Sequence, residues 1–121
     1  MTASTVQPIV VTPGIERLLA FYQGLLRAVE TARTPDEGPP FFVNLRIGES
    51  DLGLVSDTDV ELGAPQRMLL SVAVTDVDGL LGQVEGLGGQ VLGPPNDMPW
   101  GQRVAHIKDP DGNAVNLTQQ L

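Results

Sequence analysis

The chain holds one histidine, His106, and one tryptophan, Trp100, and both lie in WGQRVAHIKDPDGNAVNL, residues 100–117. An imidazole can serve as a general base or a metal ligand. A single one cannot build a two-histidine, one-carboxylate centre within one chain. Cysteine is absent, which removes disulfides, zinc-thiolate sites, iron–sulfur clusters and thiol nucleophiles together. There is no G-x-S-x-G elbow, phosphate loop or dinucleotide fingerprint. Asp109-Pro110-Asp111-Gly112 has the residue types of a type I turn: Asp caps the first position, Pro presets φ at the second and Gly closes the last. That stretch is expected to be scaffold.

The remaining candidates are aromatic or neutral. His106 sits in an alternating run in which Val104, His106 and Lys108 share one face and Arg103, Ala105 and Ile107 the other. Neither set is plainly the buried one. Trp100 follows Pro99 at the entry to this strand and either lines a ligand surface or packs the loop end as a lid. Phe41 and Phe42 are adjacent on a strand, so alternation sends one toward a ligand face and one toward the helices. Gln7, Ser71 and Asn116 offer neutral hydrogen bonds.

The elements that must position these residues are short. Residues 6–12 read as a strand, with Pro8 marking an edge or a strand start. Ile15, Leu18, Leu19, Tyr22, Leu25, Leu26 and Val29 recur at helical spacing and predict a helix over 15–29, with Tyr22 in the core. Residues 30–40 read as a polar, proline-rich loop. Residues 41–48 and 51–56 predict a hairpin, and 57–66 a linker. A strand at 67–75 follows, with Met68, Leu70, Val72 and Val74 on its apolar face. A helix over 77–88 is capped by Asp76 and stopped by Gly88-Gly89. Strands at 90–93, 102–108 and 113–118 complete the chain. The order repeats, which predicts an internal duplication of a βαβββ module in an α+β fold, with helices on one side of a mixed sheet. The modules would span about 1–60 and 67–121 of a single domain, 1–121.

Acidic residues outnumber basic ones 15 to 7, for a formal charge of −8. That field repels nucleic acid and anionic lipid and steers cations inward. No run approaches the roughly 18 apolar residues of a membrane span. MTASTVQPIVV lacks the basic and apolar regions of a signal peptide. The expectation is a cytoplasmic protein without nucleic-acid or membrane partners.

Three stretches, LLAFYQGLL (18–26), VAVTDVDGLLGQVEGLGGQV (72–91) and WGQRVAHIKDPDGNAVNL, resemble the vicinal-oxygen-chelate superfamily. It contains glyoxalase I, extradiol dioxygenases, fosfomycin-resistance enzymes and bleomycin-resistance proteins. The pattern is nearest to the metal-free, bleomycin-resistance-like members. The resemblance implies two tandem βαβββ modules forming a cup-shaped mixed sheet with helices on its outer face, completed in a homodimer. Metal-dependent members place their ligands where this chain has Gln7, Gly53, Leu69 and Asn116. Glycine and leucine supply no ligand, and amides are weak ones, so no metal and no cofactor are expected. The implied function is sequestration of an antibiotic-like or aromatic small molecule, cationic by preference, without catalysis. Trp100, Phe41 or Phe42, Gln7, Ser71, Asn116 and His106 would contact it. The alternative is a metal-dependent glyoxalase- or dioxygenase-type enzyme with an atypical site.

Overall fold

A computed structural model describes residues 6–64 and 67–121. The chain divides into two compact units, split between Glu61 and Leu62. The first contains β1 (Ile9–Thr12), α1 (Ile15–Leu26), β2 (Val29–Thr34), β3 (Phe42–Ile47) and β4 (Ser50–Ser56). Its sheet runs in the order β1-β4-β3-β2, with β1 parallel to β4 and the other pairs antiparallel. The second contains β5 (Leu70–Ala73), α2 (Val77–Val84), β6 (Gln90–Val91), β7 (Asn96–Asp97), β8 (Gln102–Lys108) and β9 (Ala114–Gln120). Its order is β5-β9-β8-β6, with β7 also on β8 and β5 parallel to β9. The first unit is thus a βαβββ arrangement and the second the same with the two-residue β7 added; in both the first and last strands pair in parallel, and the mixed α+β class is as expected.

Helix α1 buries Ile15, Leu18, Leu19, Tyr22 and Leu25 of the predicted stripe and adds Phe21, while Leu26 is half-buried and Val29, beyond the helix, is exposed. Phe21 and Tyr22 meet edge to face at 5.1 Å, the favoured aromatic geometry. The stripe packs over Val43, Leu45, Leu52 and Leu54, all buried. Removing the side chain of wholly buried Leu54 would cost about 2–5 kcal/mol in lost transfer energy and cavity.

The helix ends at Leu26 rather than Val29. Arg27 turns left-handed (φ 56°), and the Ala28 N–H closes back onto the Tyr22 carbonyl at 3.2 Å. The segment expected as a polar loop then begins as a strand. β2 pairs antiparallel with β3 and carries an irregularity between Glu30 and Ala32. A bulge of this kind shifts the alternation by one residue. Glu30 and Arg33, three apart, therefore face the same way, opposite Leu45 and Val43. Arg33 forks onto both Glu30 oxygens at 2.9 and 3.0 Å, and its Nη1 lies 3.7 Å from Glu16 of α1. This pairing holds the Glu30 carboxyl below its ordinary pKa, because the hydrogen bond from Arg33 outweighs the cost of desolvation. The same bond raises Arg33.

In the second unit Asp76 caps α2 as expected, accepting from the Gly79 N–H at 3.1 Å. The α-helix stops at Val84, and Glu85–Leu87 continue as one 3-10 turn ending at left-handed Gly88. The Gln119 side chain accepts from the Val77 N–H at 2.8 Å, tying the helix start to β9. Val77 and Val84 are buried with Ala105, Ile107, Val115 and Leu117. The strand predicted over 67–75 shrinks to four residues. Met68 is 83% exposed, so it does not join the buried set. The proline-rich loop before Trp100 carries β7, a two-residue strand on β8.

Candidate functional site

Each sheet has one face under its helix and one open face. In the first unit the alternation that buries Val43, Leu45, Leu52 and Leu54 sends Phe42, Asn44, Arg46, Asp51, Gly53 and Val55 to the open face. Phe42 is thus on the open side, as one of the two phenylalanines was expected to be. Phe41 is not under the helix: it precedes β3 and is 57% exposed. Its backbone still bonds Thr34 and Ser56 at 2.9 and 2.8 Å, yet its ring stays in solvent, so the second half of that expectation fails.

Gln7 lies just before β1. Its Nε2 donates to Oδ1 of Asn44 on β3, although β4 runs between those two strands. The crossing point is Gly53, paired with Ile9 on one side and Asn44 on the other. A Cβ there would sit 3.1 Å from Phe42 Cε1, 3.1 Å from Ile9 Cγ1 and 3.5 Å from Gln7 Nε2. Absence of a side chain at 53 leaves the room in which Gln7 crosses and the Phe42 ring lies. Asn44 Nδ2 donates to Thr31 Oγ1 at 2.8 Å and to Asp51 Oδ1 at 3.3 Å, and Arg46 donates to Asp51 Oδ2 at 3.2 Å. The open face is therefore an amide-centred polar chain beside the apolar side chains of Ile9 and Phe42. Of the polar members, Asn44, Thr31 and Arg46 were not singled out from sequence. The available signal, for Asn44 and Arg46, was their alternation with Phe42 in FFVNLRIG.

In the second unit, strand register places Ser71, Asn116 and His106 side by side on β5, β9 and β8. Ala105 and Ile107 are buried while His106 is exposed, which settles the face left open by the sequence. Ser71 is exposed and Asn116 half-buried. His106 Nδ1 lies 2.6 Å from Asn116 Oδ1. Trp100 stands in the turn between β7 and β8, 67% exposed. Its indole N–H donates to Gln102 Oε1 at 3.0 Å, and Gln102 reaches Gln120 at 3.4 Å. An indole with two-thirds of its surface in solvent is not a packed lid.

The turn that follows His106 is the expected scaffold. The Gly112 N–H closes onto the Asp109 carbonyl at 2.9 Å. Buried Asp109 accepts from the N–H groups of Asp111 and Asn113 at 3.0 and 2.9 Å, and from Asn113 Nδ2 at 2.8 Å. On the helix side Arg103 joins Asp97 and Asp78 at 2.9 and 3.1 Å. Those hydrogen bonds raise its pKa.

The residues at the family's ligand positions do not fit a divalent metal. Gln7 sits beside Gly53, and its amide is spent on Asn44. Leu69 lies two residues before Ser71, the partner of Asn116, and is half exposed. The donor set is two neutral amides, where first-row divalent ions take imidazole or carboxylate. Among the described residues no three His, Asp or Glu side chains gather at one point.

The chain matches the model of the glyoxalase/bleomycin resistance protein/dioxygenase superfamily over residues 4–117. It is 29% identical over 94 residues to CFP32 of Mycobacterium bovis, named as a candidate glyoxylase. That match covers 78% of this chain and 35% of the relative, so the chain spans about a third of that relative's length. TioX from Micromonospora sp. ML1 superposes with a TM-score of 0.77 at 20% identity, covering 98% of this chain and all of that one. The fosfomycin resistance protein FosX of Listeria monocytogenes, solved with manganese(II), superposes with a TM-score of 0.80 at 15% identity, covering 100% and 95%. These likenesses fix the fold, and the match over residues 4–117 fixes the membership: the chain belongs to the glyoxalase/bleomycin resistance protein/dioxygenase superfamily.

Proposed function

We propose that the chain is a binding protein that sequesters an antibiotic-like or aromatic small molecule without a catalytic step. The observation that carries this reading is the content of the four ligand positions: Gln7, Gly53, Leu69 and Asn116 supply no charged or imidazole donor. What the open faces present is apolar surface, neutral hydrogen-bonding groups and, on the first, the Arg46–Asp51 ion pair. Phe42 and exposed Trp100 would stack on a planar ring or a cation. Exposed Phe41 would add apolar contact at the margin of the first face. Gln7 on the first unit's face, and Ser71, Asn116 and His106 on the second's, would each offer a ligand on that face hydrogen bonds. The charge of −8 would steer a cationic ligand toward the protein without any specific contact. We assign it to the cytoplasm as a homodimer, in keeping with the family resemblance.

The rival is a metal-dependent glyoxalase- or dioxygenase-type activity, which the name of CFP32 and the manganese in the FosX structure bring into view. Melting curves of chelator-treated protein separate the two. One set contains manganese, nickel, zinc or iron(II); the other contains bleomycin, planar intercalators or fosfomycin. A ligand bound only by the folded state at about 100 times its Kd adds about 2.7 kcal/mol. Stabilisation by a planar or cationic drug and by no metal is the expected result. Stabilisation by a metal alone would overturn the proposal.

A further inference from the structure

Trp100 is the only tryptophan of the chain and is 67% exposed, yet both its backbone and its ring are tied down. Pro99 presets φ just before it. The Gly101 N–H closes the turn onto the Met98 carbonyl at 3.0 Å, and Gly101 itself takes φ +92°, an angle glycine adopts readily. The Met98 N–H donates to the Gln102 carbonyl at 2.7 Å, and the Leu121 N–H to the Gly101 carbonyl at 3.0 Å. The other arm of the turn is β7, where Asp97 pairs with Arg103 of β8 in register and as an ion pair. The ring has one polar atom, an N–H that donates and cannot accept. It is spent on Gln102 Oε1 at 3.0 Å. That fixes the sense of the Gln102 amide: its oxygen faces the indole, and its Nε2 donates at 3.4 Å to Oε1 of Gln120, the directly paired residue of β9. A tryptophan side chain has two rotatable angles. A fixed backbone at one end and a held Nε1 at the other restrict both, without burying the ring.

We propose that Gln102 is a positioning residue: it holds Trp100 as a preorganised stacking surface, and the ligands this surface takes are flat ring systems met face to face. The ring is ordered when the chain folds, so a ligand does not have to supply that ordering. The ligand half deepens the binding reading above and rests on it. The ring half concerns the free protein alone.

The test begins without ligand. A single tryptophan gives a single indole N–H signal in nitrogen-15 NMR, and its relaxation reports how rigid the ring is. The order parameter is expected near the rigid value of about 0.85 in the wild type and below about 0.6 in Gln102→Met, since a thioether is a poor acceptor. Gln102→Glu keeps an oxygen acceptor and should keep the ring rigid. Both variants should melt within about 2 °C of the wild type, as surface substitutions do, which separates release of the ring from damage to the strand. A mobile ring in the wild type, an equally rigid one in Gln102→Met, or one freed as much by Gln102→Glu overturns the positioning role. The second arm titrates caffeine, a flat neutral ring system. It should move the indole signal saturably, and its own methyl signals should shift upfield under the indole ring current, the mark of face stacking. Its affinity should fall about twofold to tenfold in Gln102→Met, the effect of having to order one side chain on binding, and stay at the wild-type level in Gln102→Glu. An unmoved indole signal, methyl signals that do not shift upfield, or equal affinity in Gln102→Met overturns the ligand half. If caffeine fails while a drug of the melting screen binds, sequestration survives that loss. If no drug binds either, the sequestration reading fails as well, and the relaxation data still decide the role of Gln102.

Discussion

Gly112 closes the turn that joins β8 to β9, the two strands carrying His106 and Asn116. Its φ is +86°, and a Cβ built on it would meet nothing within 4 Å. Steric crowding therefore plays no part, and any cost of substitution comes from the backbone angle. Holding an L-residue left-handed costs about 1–2 kcal/mol. Replacing glycine by alanine also removes disorder from the unfolded chain, an offset of about 0.4–1 kcal/mol. Gly112→Ala should then destabilise by about 0.5–1.5 kcal/mol, the difference of those two effects. Unfolding entropy of about 2.1 cal/mol/K per residue makes 1 kcal/mol worth about 4 °C of Tm in a chain of 121 residues. The expected drop is about 2–6 °C for alanine. Valine, β-branched and a true outlier at this angle, should lose roughly 1–3 kcal/mol, or about 4–12 °C. Asparagine tolerates the left-handed region and should lose least. Differential scanning calorimetry of the three variants gives the order directly. An alanine variant as stable as wild type, or a valine variant no worse than alanine, would refute the claim that φ sets the cost.

Trp100→Ala should lower Tm by no more than about 2 °C, since a mostly exposed indole contributes little packing, yet weaken binding of any drug found in the melting screen about tenfold or more, as loss of an aromatic anchor does. Calorimetric titration checks this; equal affinity in the variant would remove Trp100 from the site. Gly53→Ala should be coupled to Phe42: the added methyl meets the ring edge and Ile9 at 3.1 Å, so Phe42→Ala should recover part of the loss, with a coupling of about 0.5–1 kcal/mol in a double-mutant cycle of urea melts. Strict additivity would mean that the ring does not lie over Gly53. Glu30 is held below its ordinary pKa, so the unfolded chain binds its proton first as pH falls. Its stabilising contribution is complete above the ordinary carboxylate range, near 4.3, and is lost as pH drops through the lowered folded value. Glu30→Gln should therefore flatten the acid limb of Tm against pH below about 4.3 and leave the slope at neutral pH unchanged; an acid limb as steep as wild type would refute it.

Much of this architecture is legible because periodicity and turn chemistry act locally. The stripe from Ile15 to Leu25, the Asp76 cap and the Asp109–Gly112 turn all sit where their own residue types place them. The failures are places where pairing decided. Val29–Thr34 is polar and proline-flanked, yet β3 offers it a ladder, and a bulge lets Glu30 and Arg33 meet on one side. Met68 has the right parity for the core but lies beyond the end of β5, so parity has nothing to act on. The face of His106 was undecidable from Arg103–Lys108 alone, because Val104, Ala105 and Ile107 are all apolar and all buried. Pairing with β9, where Asn116 alternates with Val115 and Leu117, assigns it together with the exposure of the His106 ring.

The two registers place Ile9, Gly53 and Asn44 of the first unit in the same order as Ser71, Asn116 and His106 of the second. Both central positions, 53 and 116, are ones where metal-dependent relatives would need a ligand. The first unit has glycine there, and an amide from Gln7 crosses the gap to Asn44. The second has kept a side chain but made it an amide that turns toward an imidazole. Deleting a carboxylate removes charge that would otherwise need a cation or a proton to be desolvated by a ligand. The amides of Gln7 and Asn116 leave hydrogen-bonding capacity at those two positions without a charge of their own. An open face built this way favours a ligand that brings its own donors and acceptors. The cores beneath have meanwhile kept the same parity in both units, with Leu52 and Leu54 matching Val115 and Leu117.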